Sequence, residues 1–135
     1  VKPKRLLDSY AVLAYLNGES GAETVVRAME EAKESNLPLL MSEMNIGEVY
    51  YILSRRRGPQ KADYFLDNVL PGLPIRPAPV DFFLIMDASR LKAKYPLSYA
   101  DCFAVAEAIR SGATILTGDP EFKAVEPLVT MEWLS

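Results

Sequence analysis

Four acidic side chains in this sequence lack the companions that surface acids usually have. A carboxylate on a solvated helix face commonly has a cation three or four residues away, as Glu30 has Lys33 and Glu107 has Arg110. Such solvated pairs are worth roughly 0.2–0.5 kcal/mol. Glu48 instead has Met44, Asn45, Tyr51 and Ile52 at those offsets, on an apolar stripe where an unpaired carboxylate is costly to bury. Glu43, five residues earlier, points about 140° away and reads as solvated. Asp101 has Leu97, Ser98, Ala104 and Val105 around it. Asp8 and Asp119 stand where short apolar runs end. Each acid but Glu48 also has a plain structural reading. Asp101 fits a capping box with Ser98, Asp8 can cap a helix starting at Ser9, and Asp119 in Thr117-Gly118-Asp119-Pro120 can be a turn residue.

The chemistry open to such acids is narrowed by what the chain lacks. It has no histidine and one cysteine, Cys102, so no Ser-His-Asp or Cys-His nucleophile system and no typical structural zinc site can be built. Without a histidine to activate it, Cys102 reads as a small buried apolar residue. Carboxylates brought together repel one another by roughly 4 kcal/mol per pair at about 4 Å and an effective dielectric near 20. Protons or cations must neutralise such a cluster. Oxygen-only ligands suit Mg²⁺ or Mn²⁺. These ions polarise a phosphoryl oxygen, activate water and stabilise a leaving oxygen, so phosphodiester hydrolysis is the natural destination.

Length and composition fit one soluble domain spanning 1–135, with half the residues apolar and a formal charge of -3. No apolar run approaches the roughly 18 residues that span a membrane. The basic N-terminus lacks the features of a signal peptide. A lone cysteine forms no internal disulfide, so a reducing cytoplasm is the expected compartment. The net charge argues weakly against nucleic-acid binding. Removing the four acids leaves +1, however, and basic clusters remain at Lys2, Lys4 and Arg5, at Arg55-Arg56-Arg57 with Lys61, and at Arg90, Lys92 and Lys94. These read as solubilising faces or as surfaces that meet phosphates.

Short apolar runs alternate with helical patterns along the chain. Strands are expected over 4–8, 37–41, 73–76, 113–117 and 128–131. Helices are expected over 9–17, 20–35, 42–57, 60–70, 80–94 and 98–111, with stops at Gly18, Gly58-Pro59 and Gly112. Four prolines fall within 70–79, which assigns the third strand to a sheet edge because proline cannot donate to a central ladder. This alternation predicts an α/β fold with a parallel sheet covered on both faces. Ligands bind such sheets beyond the carboxyl ends of the strands, where Asp8 and Asp119 lie.

Four segments in order carry a resemblance: Leu6-Leu7-Asp8-Ser9-Tyr10, Asn45-Ile46-Gly47-Glu48-Val49, Leu97-Ser98-Tyr99-Ala100-Asp101-Cys102 and Leu116-Thr117-Gly118-Asp119-Pro120-Glu121-Phe122. Together they resemble a PIN domain of the VapC toxin type over nearly the whole length, with Trp133 matching a common closing aromatic. The resemblance implies a three-layer α/β/α fold with a five-stranded parallel sheet and a Mg²⁺- or Mn²⁺-dependent endoribonuclease. It implies Asp8 and Asp101 as metal ligands, Glu48 as a ligand or water-positioning group, and Asp119, the most variable of the catalytic acids, as a ligand of a second ion or a group acting through water. Ser9 and Thr117 match hydroxyls that would orient the carboxylates. Gly118 departs from the pattern, since many relatives carry a basic residue there.

The implied partners are an RNA substrate of the tRNA or rRNA class, a second copy in a homodimer, and a cognate antitoxin that covers the acidic site. Tyr10, Leu13, Leu16, Tyr50, Leu53, Tyr64 and Phe65 offer apolar faces that serve either partner contacts or the core. A Mg²⁺-binding signalling receiver is the rival reading, but Asp8 has no adjacent acid and no lysine closes the late strand. A PIN scaffold that binds RNA or protein without cutting is a second rival.

Overall fold

The computed structural model describes residues 4–134, so Lys2 of the N-terminal basic cluster lies outside the described residues. Five strands form one parallel sheet: β1 (Arg5–Leu7), β2 (Leu39–Ser42), β3 (Ile75–Ala78), β4 (Thr114–Thr117) and β5 (Met131–Trp133). Their order is β3-β2-β1-β4-β5. A receiver-type sheet runs 2-1-3-4-5 instead, so the strand order excludes that rival.

The register explains the layers. Leu6 stands beside Leu40 and Ile115, and Leu7 beside Leu116. Because side chains alternate across a strand, Leu6, Leu40 and Ile115 enter one core cluster while Leu7, Met41 and Leu116 enter the other. The Leu7 face is covered by α1 (Ser9–Asn17), α2 (Ala22–Ser35), α3 (Glu43–Arg57) and α4 (Pro59–Tyr64) through Val12, Val25, Val49 and Ala62. The Leu6 face is covered by α5 (Phe82–Lys94) and α6 (Tyr99–Ser111) through Leu84 and Phe103. This is the expected three-layer α/β/α arrangement. Cys102 is fully buried in the second cluster, as its apolar reading required.

Caps set the helix ends. Ser42 accepts from the Met44 amide, Asp81 from Leu84 at 2.8 Å, and Ser98 from Asp101 at 3.2 Å. Gly112 (φ 65°) closes α6 in the left-handed region that disfavours a side chain, and the chain turns into β4. Among the described residues no helix is long and apolar enough to cross a membrane.

Two strands sit later than expected. Leu73 donates its amide to Leu70, so β3 begins at Ile75. Leu128 and Val129 both donate to the Val125 carbonyl, which delays β5 to Met131. Turn hydrogen bonds had already taken the amides that a ladder needs. The proline-bearing strand does lie on the edge. The helix expected over 60–70 is cut to α4, after which the chain widens into a π turn over Phe65–Val69 and tightens over Leu70–Gly72.

Two charged groups differ from their solvated reading. Glu107 is 3% exposed, accepting from Arg110 and Ser111 at 2.6 Å each. The reason is that α6 is buried all round from Asp101 to Ala108. Arg5 is held by Glu31 and Glu132, so it is not a free basic surface. Of the apolar side chains considered for partner contacts, Leu53 and Phe65 are core, Leu13, Leu16 and Tyr50 are half-buried, and Tyr10 and Tyr64 are exposed.

Candidate metal centre

β1 and β4 are neighbours, yet the chain leaves them toward opposite faces. β1 feeds α1 on the Leu7 side, and β4 feeds a short 3₁₀ turn, Pro120–Val125, whose Phe122 and Val125 join the other cluster. The crevice between two such strand ends is where an open parallel sheet presents groups to a ligand.

Asp8 follows β1 directly and is 1% exposed. Its Oδ1 accepts from the Ala11 amide at 2.8 Å, capping α1, and its Oδ2 accepts from Thr117 Oγ1 at 2.5 Å. Burial pushes the Asp8 carboxyl up to about 7 despite the hydrogen bonds from Thr117 and Ala11, with the charges of Asp101 and Asp119 adding to the rise. Asp101, in the first turn of α6, is 8% exposed. Burial lifts it to about 7 as well; Ser98 opposes the rise, and Asp119, Glu48 and Glu121 reinforce it.

Asp119 caps the 3₁₀ turn by accepting from the Glu121 amide at 3.0 Å, and its own amide donates to Thr117 Oγ1 at 3.0 Å. Capping and convergence are therefore compatible. The local hydrogen bonds of Asp8, Asp101 and Asp119 fix how each acid enters a shared neighbourhood.

Carboxylate oxygens from Asp101, Asp119 and Glu121 all lie within 4.8 Å of one another. Glu121 was not singled out from the sequence. The test applied to Glu48 would have found it, since Thr117, Gly118, Ala124 and Val125 stand at its three- and four-residue offsets. Glu48 is half-buried on α3 and adds its charge to Asp101, but neither it nor Asp8 belongs to that tight group. Glu43 is exposed, as expected. Among the described residues, the ion pairs involve none of Asp8, Glu48, Asp101, Asp119 or Glu121. An all-oxygen set in which the Asp8 and Asp101 carboxyls are raised, with no cation of its own, fits a hard divalent ion.

Ser9 differs from its expected role. Its hydroxyl donates to the Asn45 carbonyl at 3.2 Å and accepts from Asn45 Nδ2 at 3.3 Å, so it is engaged by α3 rather than by a carboxylate. Asn45 is fully buried and also donates to the Ala100 carbonyl at 3.3 Å, while its Oδ1 has no partner. One amide thus joins the starts of α1 and α6 to the helix that carries Glu48. Asn45 opens the second of the four resemblance segments, but nothing in the sequence indicates this bridging role.

A family model described as PIN domain matches residues 5–127. The chain belongs to the PIN-domain family. Solved structures carry the same fold. A DNA-bound VapBC from Salmonella typhimurium superposes at a TM-score of 0.74 with 14% identity, covering 99% of this chain and 100% of that one. VapBC2 from Rickettsia felis, bound to a promoter DNA fragment, gives 0.73 with 17% identity over 97% and 98%. Mycobacterium tuberculosis VapC20, a sarcin–ricin loop cleaving toxin, gives 0.70 with 20% identity over 90% and 95%. No curated protein matches the sequence. In this PIN domain Asp8 and Asp119 stand where β1 and β4 end, Thr117 is hydrogen-bonded to both, and Asp101 lies in the first turn of α6.

Proposed function

We propose that this PIN domain is a VapC-like endoribonuclease that hydrolyses RNA phosphodiesters at a Mg²⁺ or Mn²⁺ site. The observation that supports it most is the pair of buried carboxyls, Asp8 and Asp101, raised to about 7 beside further acids with no cation to pair them. Groups so perturbed mark functional sites more often than structural ones.

Asp101 and Asp119, joined by Glu121, would hold the cation, with Asp8 behind them and Glu48 ligating or accepting a hydrogen bond from the attacking water. Thr117 keeps the Asp8 carboxylate turned toward the crevice. When bound, the ion neutralises the cluster and supplies Lewis acidity at the phosphoryl oxygen. The acids themselves contribute orientation. The VapBC complexes among the structural neighbours support a cognate antitoxin as partner, and the homodimer belongs to the same reading.

The test is cleavage of bulk tRNA and rRNA with Mg²⁺ or Mn²⁺, beside Asp8→Asn and Asp101→Asn. Metal-dependent cleavage abolished in both variants supports the assignment. Undiminished cleavage in either removes that acid from the site, and a wild-type protein that binds metal without cutting any RNA defeats the nuclease reading.

A further inference from the structure

The ring of Tyr10 lies against the backbone of Gly118. A Cβ built on that glycine would stand 2.4 Å from Tyr10 Cε1 and 3.0 Å from Cδ1 and Cζ. Gly118 sits between Thr117 and Asp119, so the ring is held at the wall of the carboxylate crevice, and any larger residue would displace it. Despite that contact Tyr10 is 46% exposed.

Tyr10 also lines a small cleft of about 180 Å³ with Leu13, Ala14, Glu19 and Arg56. Pockets that take a whole small-molecule ligand run to roughly 300–1,000 Å³, so this one suits a single flat heterocycle. Within the run Arg55-Arg56-Arg57, Arg55 lies over the Tyr51 ring at 5.4 Å and Arg57 donates to Asn17 Oδ1 at 2.7 Å. Arg56 makes no ion pair or hydrogen bond among the described residues. A carboxylate and a guanidinium facing one cleft suit a neutral base, which offers N–H donors and ring acceptors together, better than a phosphate.

We propose that Tyr10 and this cleft form the subsite for an unstacked base next to the scissile phosphate of a single-stranded RNA segment. The base stacks on the exposed Tyr10 ring while Glu19 and Arg56 meet its edge. Aromatic platforms beside a phosphate-binding site are the usual means of holding single strands. The proposal rests on the ribonuclease reading above.

The experiment is binding of short single-stranded RNAs carrying 2-aminopurine at successive positions, with Ca²⁺ as the only divalent cation, alongside Mg²⁺-supported cleavage. In wild type one position is quenched by stacking. Tyr10→Phe keeps the quenching and binds within about twofold, whereas Tyr10→Ala loses it and binds about five- to a hundredfold more weakly. Gly118→Ala, which pushes the ring aside, reproduces that loss and decides the matter if Tyr10→Ala fails to fold. Mn²⁺ affinity is unchanged in both.

Unaltered quenching and binding in Tyr10→Ala overturn the subsite. So does a Tyr10→Ala variant that cuts RNA with wild-type kcat/KM, a result that leaves the ribonuclease intact. A variant that binds RNA normally but loses a protein inhibitor also overturns it and assigns the cleft to that protein. If wild type neither binds nor cuts any RNA, both readings fall together.

Discussion

Thr117 Oγ1 stands 2.5 Å from Asp8 Oδ2, joining residues 109 positions apart across adjacent strands, and the same oxygen accepts from the Asp119 amide at 3.0 Å. One hydroxyl thereby couples the acid of the first strand to the turn of the fourth. Thr117→Val keeps the shape and removes both bonds. It should cost about 1.5–3 kcal/mol in urea unfolding, and it should weaken Mn²⁺ binding at pH 7 because the lost hydrogen bond had held the Asp8 pKa down. Thr117→Ser should restore both. Wild-type Mn²⁺ affinity in the valine variant would remove Thr117 from the coupling.

The metal-free protein should lose stability as pH rises. Burial pushes the Asp8 and Asp101 carboxyls up to about 7 in the folded state, from an ordinary aspartate value of 3.8. Between those values the folded protein binds more protons than the unfolded chain. Their contribution is therefore fully present below about pH 4 and is lost as pH rises through 7. For Asp8 the interval corresponds to roughly 4 kcal/mol, and for the less buried Asp101 to less. Urea unfolding of wild type and Asp8→Asn across pH 4 to 8 reads this directly, with the variant showing the shallower decline. Mn²⁺ competes with the same protons, so its stabilising effect should grow over that range. A wild-type profile parallel to that of Asp8→Asn would contradict the buried-acid account.

Glu121 should matter to the ion and Glu43 should not. Glu121→Gln removes one charge from the group whose oxygens lie within 4.8 Å of one another, and Mn²⁺ affinity should fall at least about tenfold. Glu43→Gln, on the exposed side of α3, should leave it unchanged. Glu48→Gln separates two roles. A loss of cleavage with Mn²⁺ affinity retained indicates an acid that handles water, and a joint loss indicates a ligand. Titration calorimetry beside the RNA assay distinguishes them.

Asn45→Leu should destabilise the fold out of proportion to its size. It removes the two hydrogen bonds that Asn45 Nδ2 donates to the Ser9 hydroxyl and the Ala100 carbonyl, at about 0.5–1.5 kcal/mol each, while Ser9 keeps its bond to the backbone carbonyl of position 45. The damage should reach Mn²⁺ affinity as well, since α1, α3 and α6 carry Asp8, Glu48 and Asp101. Urea unfolding and Mn²⁺ titration check the two effects separately. Unchanged stability would show that the three helix starts do not depend on this amide.

Much of this was legible because its causes are local. The cap at Ser98 and the stop at Gly112 depend on a few neighbouring residues. The edge position of the third strand follows from the prolines within 70–79, one of which, Pro77, lies in β3. The burial of Glu107 and Asn45 was not legible, because each looks polar within its own helix and only the packing of α6 and α3 encloses it. Glu121 lacks a cation at helical offsets just as Glu48 does, but it lies in a 3₁₀ turn after Asp119, so only the tertiary structure shows that it reaches Asp101.

By itself the sequence determined the alternation of strands and helices, and the absence of histidine narrowed the candidate reactive groups to carboxylates. It also determined where the individual acids end their strands or begin their helices. Only the tertiary structure decided which acids share a crevice, that Ser9 turns to Asn45 instead, and that Tyr10 lies over Gly118. The physical reason is that caps and turns are short-range bonds between near neighbours. A shared site, by contrast, depends on strand order and helix packing, which bring together residues more than a hundred positions apart.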